Sequence, residues 1–227
     1  MEKSSGIYWL ERKVEGIVFD VDGTLTDSIE SYYEVFRRAM EQIGIPVQRK
    51  EVLIPMATGQ PIWDWAIPQG IANREEKIQQ CKKLIPEIFQ GVFKKVRPFP
   101  ELGRVLDRLR ERGVQMGAVT SSWSSAVRPL HDHSLFHYFK AVVTREDGLQ
   151  LKPAPDGIIE CLRRMEVDPG KAVTVGDTPM DIQAGKAAGT LTIGVLSGIG
   201  NREQLEAENP TVIIDGVAQI LSVLRLS

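Results

Sequence analysis

Ile17-Val18-Phe19 is a short apolar run of strand-favouring residues, and it stops abruptly at Asp20-Val21-Asp22-Gly23-Thr24. An apolar run of this length bounded by a turn signal predicts a strand buried on both faces. Two acids spaced i, i+2 at its carboxyl end point to one side where the extended geometry persists, and Val21 is directed into the packing. Gly23 lets the chain turn sharply just beyond them. In open parallel α/β sheets, ligands bind beyond the carboxyl ends of the strands. Two carboxylates in that place repel one another and lose water, so they require a cation or a proton between them. Read in isolation, the same residues are solvated loop acids and Asp-Gly is a turn dipeptide.

The rest of the chain supplies the context. From Leu102 onward, helical patterns at Leu102–Arg112, Ser122–His131, Asp156–Met165 and Asp181–Ala188 alternate with apolar runs. Those runs, at Val114–Thr120, Ala141–Thr144, Ala172–Val175, Leu191–Leu196 and Thr211–Ile214, read as strands. The alternation predicts an α/β fold, a Rossmann-like, mostly parallel sheet with helices on both faces. Between Leu25 and Arg97 no strand is evident. Ser28–Ile43 has one apolar face, made by Ile29, Tyr32, Tyr33, Phe36, Ala39, Met40 and Ile43, with Asp27 or Ser28 to cap it and Gly44 and Pro46 to stop it. Val47–Gly70 is broken by Pro55, Gly59, Pro61 and Pro68, and Asn73 caps a helical region through Val92 with Pro86 as its point of interruption. An all-helical block of ~70 residues after one strand reads as an insertion. The expected division is 1–26 and 97–227 for the core and 27–96 for a helical cap.

Composition excludes several classes. A net charge of −2 with no long basic block leaves no electrostatic case for nucleic acid. Cys81 and Cys161 fit neither a CxxC nor a zinc pattern, and His131, His133 and His137 lack metal-ligand spacing. No apolar stretch approaches the ~20 residues that span a bilayer. The N-terminal stretch has only a four-residue apolar patch, too short for a signal peptide, so the cytoplasm is the expected compartment. A monomer or small homo-oligomer is expected. Tyr8 and Trp9 suit either core packing or a contact.

Three further stretches carry chemistry. Val119-Thr120-Ser121-Ser122 ends a strand and opens a helix, where hydroxyls and fresh N–H groups make an anion site or simply cap the helix. Lys152 stands in Leu151-Lys152-Pro153-Ala154-Pro155-Asp156, its backbone restrained by two prolines, with Asp156 as the expected helix cap. Gly176-Asp177-Thr178-Pro179-Met180-Asp181 repeats the arrangement of a buried strand ending in an acid, with a second acid four residues on that can cap a helix. Hard oxygen ligands on such loops suit Mg2+.

In this order, DxDGT, Thr-Ser, KPxPD and GDxxxD resemble the four motifs of the haloacid dehalogenase superfamily of phosphatases, and the resemblance covers Gly16 to Leu196. It implies a Mg2+-dependent phosphatase acting on a small phosphorylated metabolite, with Asp20 as nucleophile and Asp22 as general acid and base. It further implies that Thr120, the Ser121 amide and Lys152 hold phosphoryl oxygens. Mg2+ would be held by Asp20, the Asp22 carbonyl and Asp177, with Asp181 direct or through water. Haloalkanoate dehalogenases lack the second acid supplied here by Asp22. Phosphonate-cleaving relatives carry a cap lysine where this chain has Gln60. β-Phosphoglucomutase relatives show Glu-Asp at the fourth motif and a GxxR in the cap; this chain has Gly176-Asp177, and Ile62 three residues after Gly59. The phosphoglycolate-phosphatase-like branch fits best. A phosphomutase of the β-phosphoglucomutase type and a non-catalytic phosphate-binding or sensor module are the alternatives. In the cap, Trp63 and Trp65 read as core, and Gln60, in the Thr58-Gly59-Gln60 loop, is the expected contact to the leaving group.

Overall fold

The computed structural model describes residues 7–9 and 12–226. Its strands are β1 (Ile7–Trp9), β2 (Arg12–Val14), β3 (Gly16–Phe19), β4 (Gln115–Val119), β5 (Phe139–Val143), β6 (Ala172–Gly176), β7 (Leu191–Val195), β8 (Val212–Ile214) and β9 (Arg225–Leu226). Six form one sheet in the order β5-β4-β3-β6-β7-β8, and every pairing in it is parallel. β3 is central because both its faces are apolar. Ile17 and Phe19 join a cluster with Leu102, Leu106, Leu109 and Leu130, while Val18 faces the other way, toward Ile158, Leu162 and Met165. The connections leave β3 on one side through β4 and β5 and return on the other through β6, so the strand order reverses at β3.

A second, antiparallel sheet joins β2, β1 and β9. No strand is expected there from sequence, since runs of two or three residues are too short to display a period. The side chains of Tyr8 and Trp9 lie outside the described residues.

The chain divides into two compact units, Ser28–Val96 and Met1–Asp27 with Arg97–Ser227. Ser28–Val96 holds α1 (Ile29–Gln42), α2 (Arg49–Thr58), α3 (Ile62–Ala66) and α4 (Arg74–Phe93), with no strand among its described residues. Tyr32 of α1 packs edge-on against Phe93 of α4 at 4.8 Å between ring centroids, and Val35 shares that cluster. Tyr33 and Phe36 are only partly buried, so the buried stripe of α1 is narrower than the sequence suggests. Pro55 and Pro86 lie inside α2 and α4 and end neither. Each removes one N–H, and the packed turns on either side outweigh that loss. Asn73 adopts a left-handed conformation and makes no cap; Glu75 and Glu76 in the first turn of α4 complement its dipole instead. Ser28 likewise makes no side-chain cap. Trp65 is exposed rather than core, with its indole N–H donated to Gln60 Oε1 at 2.7 Å.

In the other unit the helices are α5 (Leu102–Glu111), α6 (Arg128–Asp132), α7 (Asp156–Met165), α8 (Pro179–Ala187), α9 (Arg202–Ala207) and α10 (Ile220–Val223). α5 buries Leu102, Val105, Leu106 and Leu109, the i, i+3, i+4, i+7 stripe of an amphipathic helix. Each such side chain contributes about 1.5–3 kcal/mol. The single helix expected over Ser122–His131 is instead a 3-10 turn at Ser124–Val127 followed by α6, since Pro129 cannot donate to the preceding turn. Pro155, not Asp156, occupies the cap position of α7, and Asp156 is its first residue. Leu25–Asp27 and Arg97–Phe99 run side by side: Asp27 N donates to Arg97 O at 2.9 Å, Phe99 N to Leu25 O at 3.0 Å, and Thr26 bridges Pro98. No described helix is long and apolar enough to cross a membrane.

Candidate active site

Strand register brings the site together. Phe19 of β3 pairs with Ala118 of β4 and Val175 of β6, so the residues just beyond each strand end emerge at one level. Asp20 follows β3, Thr120 follows β4 and Asp177 follows β6 by one residue each. Asp20 N donates to Val175 O at 2.8 Å and Thr120 N to Val143 O at 3.0 Å, which fixes both residues against the sheet. Lys152 enters from the segment between β5 and α7. Its Nζ donates to Asp20 Oδ1, to Asp181 Oδ1 at 2.5 Å and to Val119 O at 3.4 Å.

Asp20, Asp177 and Asp181 are all buried. Burial pushes the Asp20 carboxyl well above the usual range; Lys152 opposes this, and Asp181, Asp177 and Asp22 reinforce it. Burial, then Asp181, pushes Asp177 up to about 7 against the Ile199 N–H and Lys152. Burial alone would lower the Lys152 pKa, but Asp181 and Asp20 outweigh it and hold the ammonium above its ordinary value. Asp22 is half-buried, and its Oδ2 accepts from Thr120 Oγ1 at 3.4 Å. Ser121 follows directly on Thr120, half-buried. Gln60 belongs to the helical unit, where its carboxamide oxygen holds the Trp65 indole.

Several supporting residues were missed from sequence. Thr24 Oγ1 donates to Asp177 Oδ1 at 3.2 Å, and Ile199 N to Asp177 Oδ2 at 2.8 Å. Thr178 caps α8: Asp181 N donates to Thr178 Oγ1 at 3.3 Å, while Asp181 Oδ2 accepts from Thr178 N at 2.9 Å and Thr178 Oγ1 at 2.6 Å. The T-x-x-D spacing of Thr178 and Asp181 is the pattern of a capping box and was readable as such. Asp181 thus secures both Lys152 and the start of a helix, a pairing that spacing did not reveal. The loop after β7 also closes on the site. A Cβ on Gly198 would lie 1.9 Å from Asp177 Oδ2, so only glycine fits there. Gly23, at φ +80°, would place a Cβ 2.8 Å from the same oxygen.

Asp20, Asp177 and Asp181 offer carboxylate oxygens within 4.8 Å of one another. Among the described residues one ammonium, Lys152, pairs with two of these three acids, Asp20 and Asp181. Fully ionised, the group carries buried negative charge in excess, which is unfavourable unless protons or a further cation offset it. An all-oxygen donor set of this kind fits a hard divalent cation such as Mg2+. The same cluster provides an anionic nucleophile candidate in Asp20, with an ammonium and hydroxyl and amide donors grouped beside it.

The haloacid dehalogenase-like hydrolase family model matches residues 17–195, from within β3 to the end of β7. The phosphoglycolate phosphatase of Escherichia coli (strain K12) is 28% identical over 239 residues, covering 94% of this chain and 93% of that protein. Pyrophosphatase PpaX of Bacillus velezensis is 28% identical over 214 residues, covering 94% of this chain and 97% of its own. A solved structure of a predicted phosphoglycolate phosphatase from Haemophilus somnus has the same fold, with a TM-score of 0.82 at 22% identity over 92% of this chain and 97% of that one. All four regions around Asp20, Thr120, Lys152 and Asp177 fall inside the matched span, and the chain belongs to the haloacid dehalogenase-like hydrolase family.

Proposed function

We propose that this hydrolase cleaves the phosphate monoester of a small metabolite in two steps through Asp20, with 2-phosphoglycolate the first substrate to test. The observation that carries the reading is the buried Asp20 carboxylate, paired with Lys152 beside two more acids at an adjoining strand end. The similarity to phosphoglycolate phosphatase and to pyrophosphatase PpaX supports a small phosphorylated substrate.

In the first step Asp20 attacks phosphorus, the P–O bond to the leaving group breaks, and Asp22 gives its proton to the departing oxygen. In the second, Asp22 takes a proton from water as that water attacks the aspartyl phosphate, releasing phosphate and restoring both acids. Lys152, Thr120 Oγ1 and the Ser121 amide hold the oxygens on which charge spreads in the transition state. The Asp20 and Asp177 carboxylates and the Asp22 carbonyl, with Asp181 direct or through water, would hold Mg2+, which would supply the charge neutralisation that an anionic nucleophile needs to approach an anionic phosphate. Substrate choice is assigned to the helical cap, residues 27–96, and to Gln60 within it.

The test is phosphate release from a panel that includes 2-phosphoglycolate and pyrophosphate, with MgCl2 and with chelator. Activity should require the metal and collapse in Asp20→Asn. Undiminished turnover in that variant, with contaminating phosphatase excluded, would remove Asp20 as nucleophile. Phosphoryl transfer within the substrate without release would indicate a mutase, and binding without turnover a sensor.

A further inference from the structure

The turn after β5 carries a cation that the reaction above does not use. Arg145–Asp147 forms a 3-10 turn, capped by Thr144 and closed by Gly148, against the loop that follows β4. Arg145 N donates to Ser122 O at 3.0 Å, and Arg145 Nε to Ser121 O at 2.9 Å. The Glu146 carboxylate accepts from Ser124 N at 2.9 Å and from Ser124 Oγ at 2.8 Å. Trp123 is 59% exposed, and its ring centroid lies 5.8 Å from Arg145 Cζ. The guanidinium is therefore restrained by its own backbone, by Nε and by an aromatic ring. An exposed arginine ordinarily loses rotamer freedom when it binds a ligand; here much of that freedom is already gone.

Its two Nη groups make no hydrogen bond or ion pair among the described residues. The adjacent acids are engaged elsewhere. Glu146 also accepts from Thr144 Oγ1 at 2.8 Å, and Asp147 pairs with Arg164 at 2.6 Å. Ser121, whose carbonyl anchors Arg145, is also the residue whose amide is proposed above to hold a phosphoryl oxygen. Residue dimensions place Nε within about 7 Å of that amide. A substituent a few bonds beyond the phosphoryl group spans such a distance.

We propose that Arg145, backed by Trp123, is a specificity-determining residue that pairs with a second anionic group on the leaving group. The free Nη fork suits a carboxylate or a phosphate, either of which it can hold through two parallel N–H bonds. This inference rests on the phosphatase reading and narrows it to substrates with an anion at each end.

The test compares two esters of similar size, 2-phosphoglycolate and 2-hydroxyethyl phosphate, with Mg2+, using wild type, Arg145→Gln and Arg145→Met. Wild type should prefer the ester whose leaving group carries the carboxylate. Both variants should lose roughly 10- to 100-fold in kcat/KM on it, mainly through KM, because a hydrogen-bonded charge pair is lost. On the ester with the uncharged leaving group they should stay within about threefold, since its leaving group offers the guanidinium no charge. An equal loss on both esters would overturn the assignment and leave Arg145 as a buttress for Ser121; no loss on either would also overturn it. A wild type that releases phosphate from neither ester overturns this inference, and one that also releases none from pyrophosphate overturns the phosphatase reading with it.

Discussion

Replacing Asp177 by asparagine should stabilise the metal-free protein while removing its activity. The Asp177 carboxyl is buried and pushed from 3.8 up to about 7, chiefly by burial and then by Asp181. Each pKa unit corresponds to about 1.36 kcal/mol, so the ionised group costs up to roughly 4 kcal/mol relative to the unfolded chain. Asparagine keeps an acceptor for the Ile199 N–H but meets Thr24 with an amide of different geometry. Allowing about half for that leaves a gain of about 2 kcal/mol, or about 4–8 °C in Tm for a chain of this size. Because the folded pKa is raised, the penalty is absent below about pH 4, grows as pH rises, and is complete above about pH 7. Thermal unfolding followed by circular dichroism in EDTA, from pH 5 to pH 8, reads this directly. The variant's advantage should be full at pH 8 and shrink toward pH 5. Mg2+ should raise the Tm of wild type by mass action and leave that of the variant nearly unchanged. A variant that melts below wild type in EDTA at pH 8, or an advantage that does not vary with pH, would refute the reasoning.

Asp22→Asn should lose about 10²–10⁴-fold on an alkyl phosphate and less on an aryl phosphate in the first step, because the better leaving group needs less protonation; equal losses would argue against proton donation. Gly198→Ala drives a Cβ toward Asp177 Oδ2, which would lie only 1.9 Å away. It should raise the Mg2+ concentration needed for half-maximal turnover by about tenfold or more, as disturbing a metal site's support does, and an unchanged Mg2+ titration would show that the loop yields. Gln60→Ala should alter relative kcat/KM among substrates by about 1–3 kcal/mol without changing metal dependence. If it scales every substrate alike, or none, Gln60 does not select.

Strand ends were legible because a buried parallel strand is a continuous apolar run, and Phe19, Val119 and Val175 each lie at or next to the end of one. Asp20, Thr120 and Asp177 could therefore be placed before any register was known. What the sequence hid was set by contacts between distant segments. Nothing in the spacing of Lys152 and Asp181 announces their ion pair, which depends on how the segment before α7 meets the start of α8. Gly198 reads as an ordinary turn residue until Asp177 is placed beside it. Local rules also gave way to packing: Pro55 and Pro86 read as breaks but sit within helices whose remaining turns are held elsewhere. Trp65 read as core by composition, yet its indole N–H is satisfied by Gln60, so the ring can face water. The β1, β2 and β9 strands are too short for any period to show.

The pairing of Leu25–Asp27 with Arg97–Phe99 bears on how such a chain can diversify. Two segments that enter and leave an insertion are hydrogen-bonded to each other at its base, so the core meets the insertion as it would meet a hairpin turn. In polymer terms, each doubling of the intervening length adds only about 0.6 kcal/mol of closure entropy. Lengthening a four-residue turn to some seventy residues would thus cost on the order of 2–3 kcal/mol even if the new segment stayed unstructured, and a segment that folds on itself with neighbouring ends costs less. A lineage can therefore exchange what lies between Asp27 and Arg97 while the strand ends that carry Asp20, Thr120 and Asp177 remain under unchanged mechanical constraint.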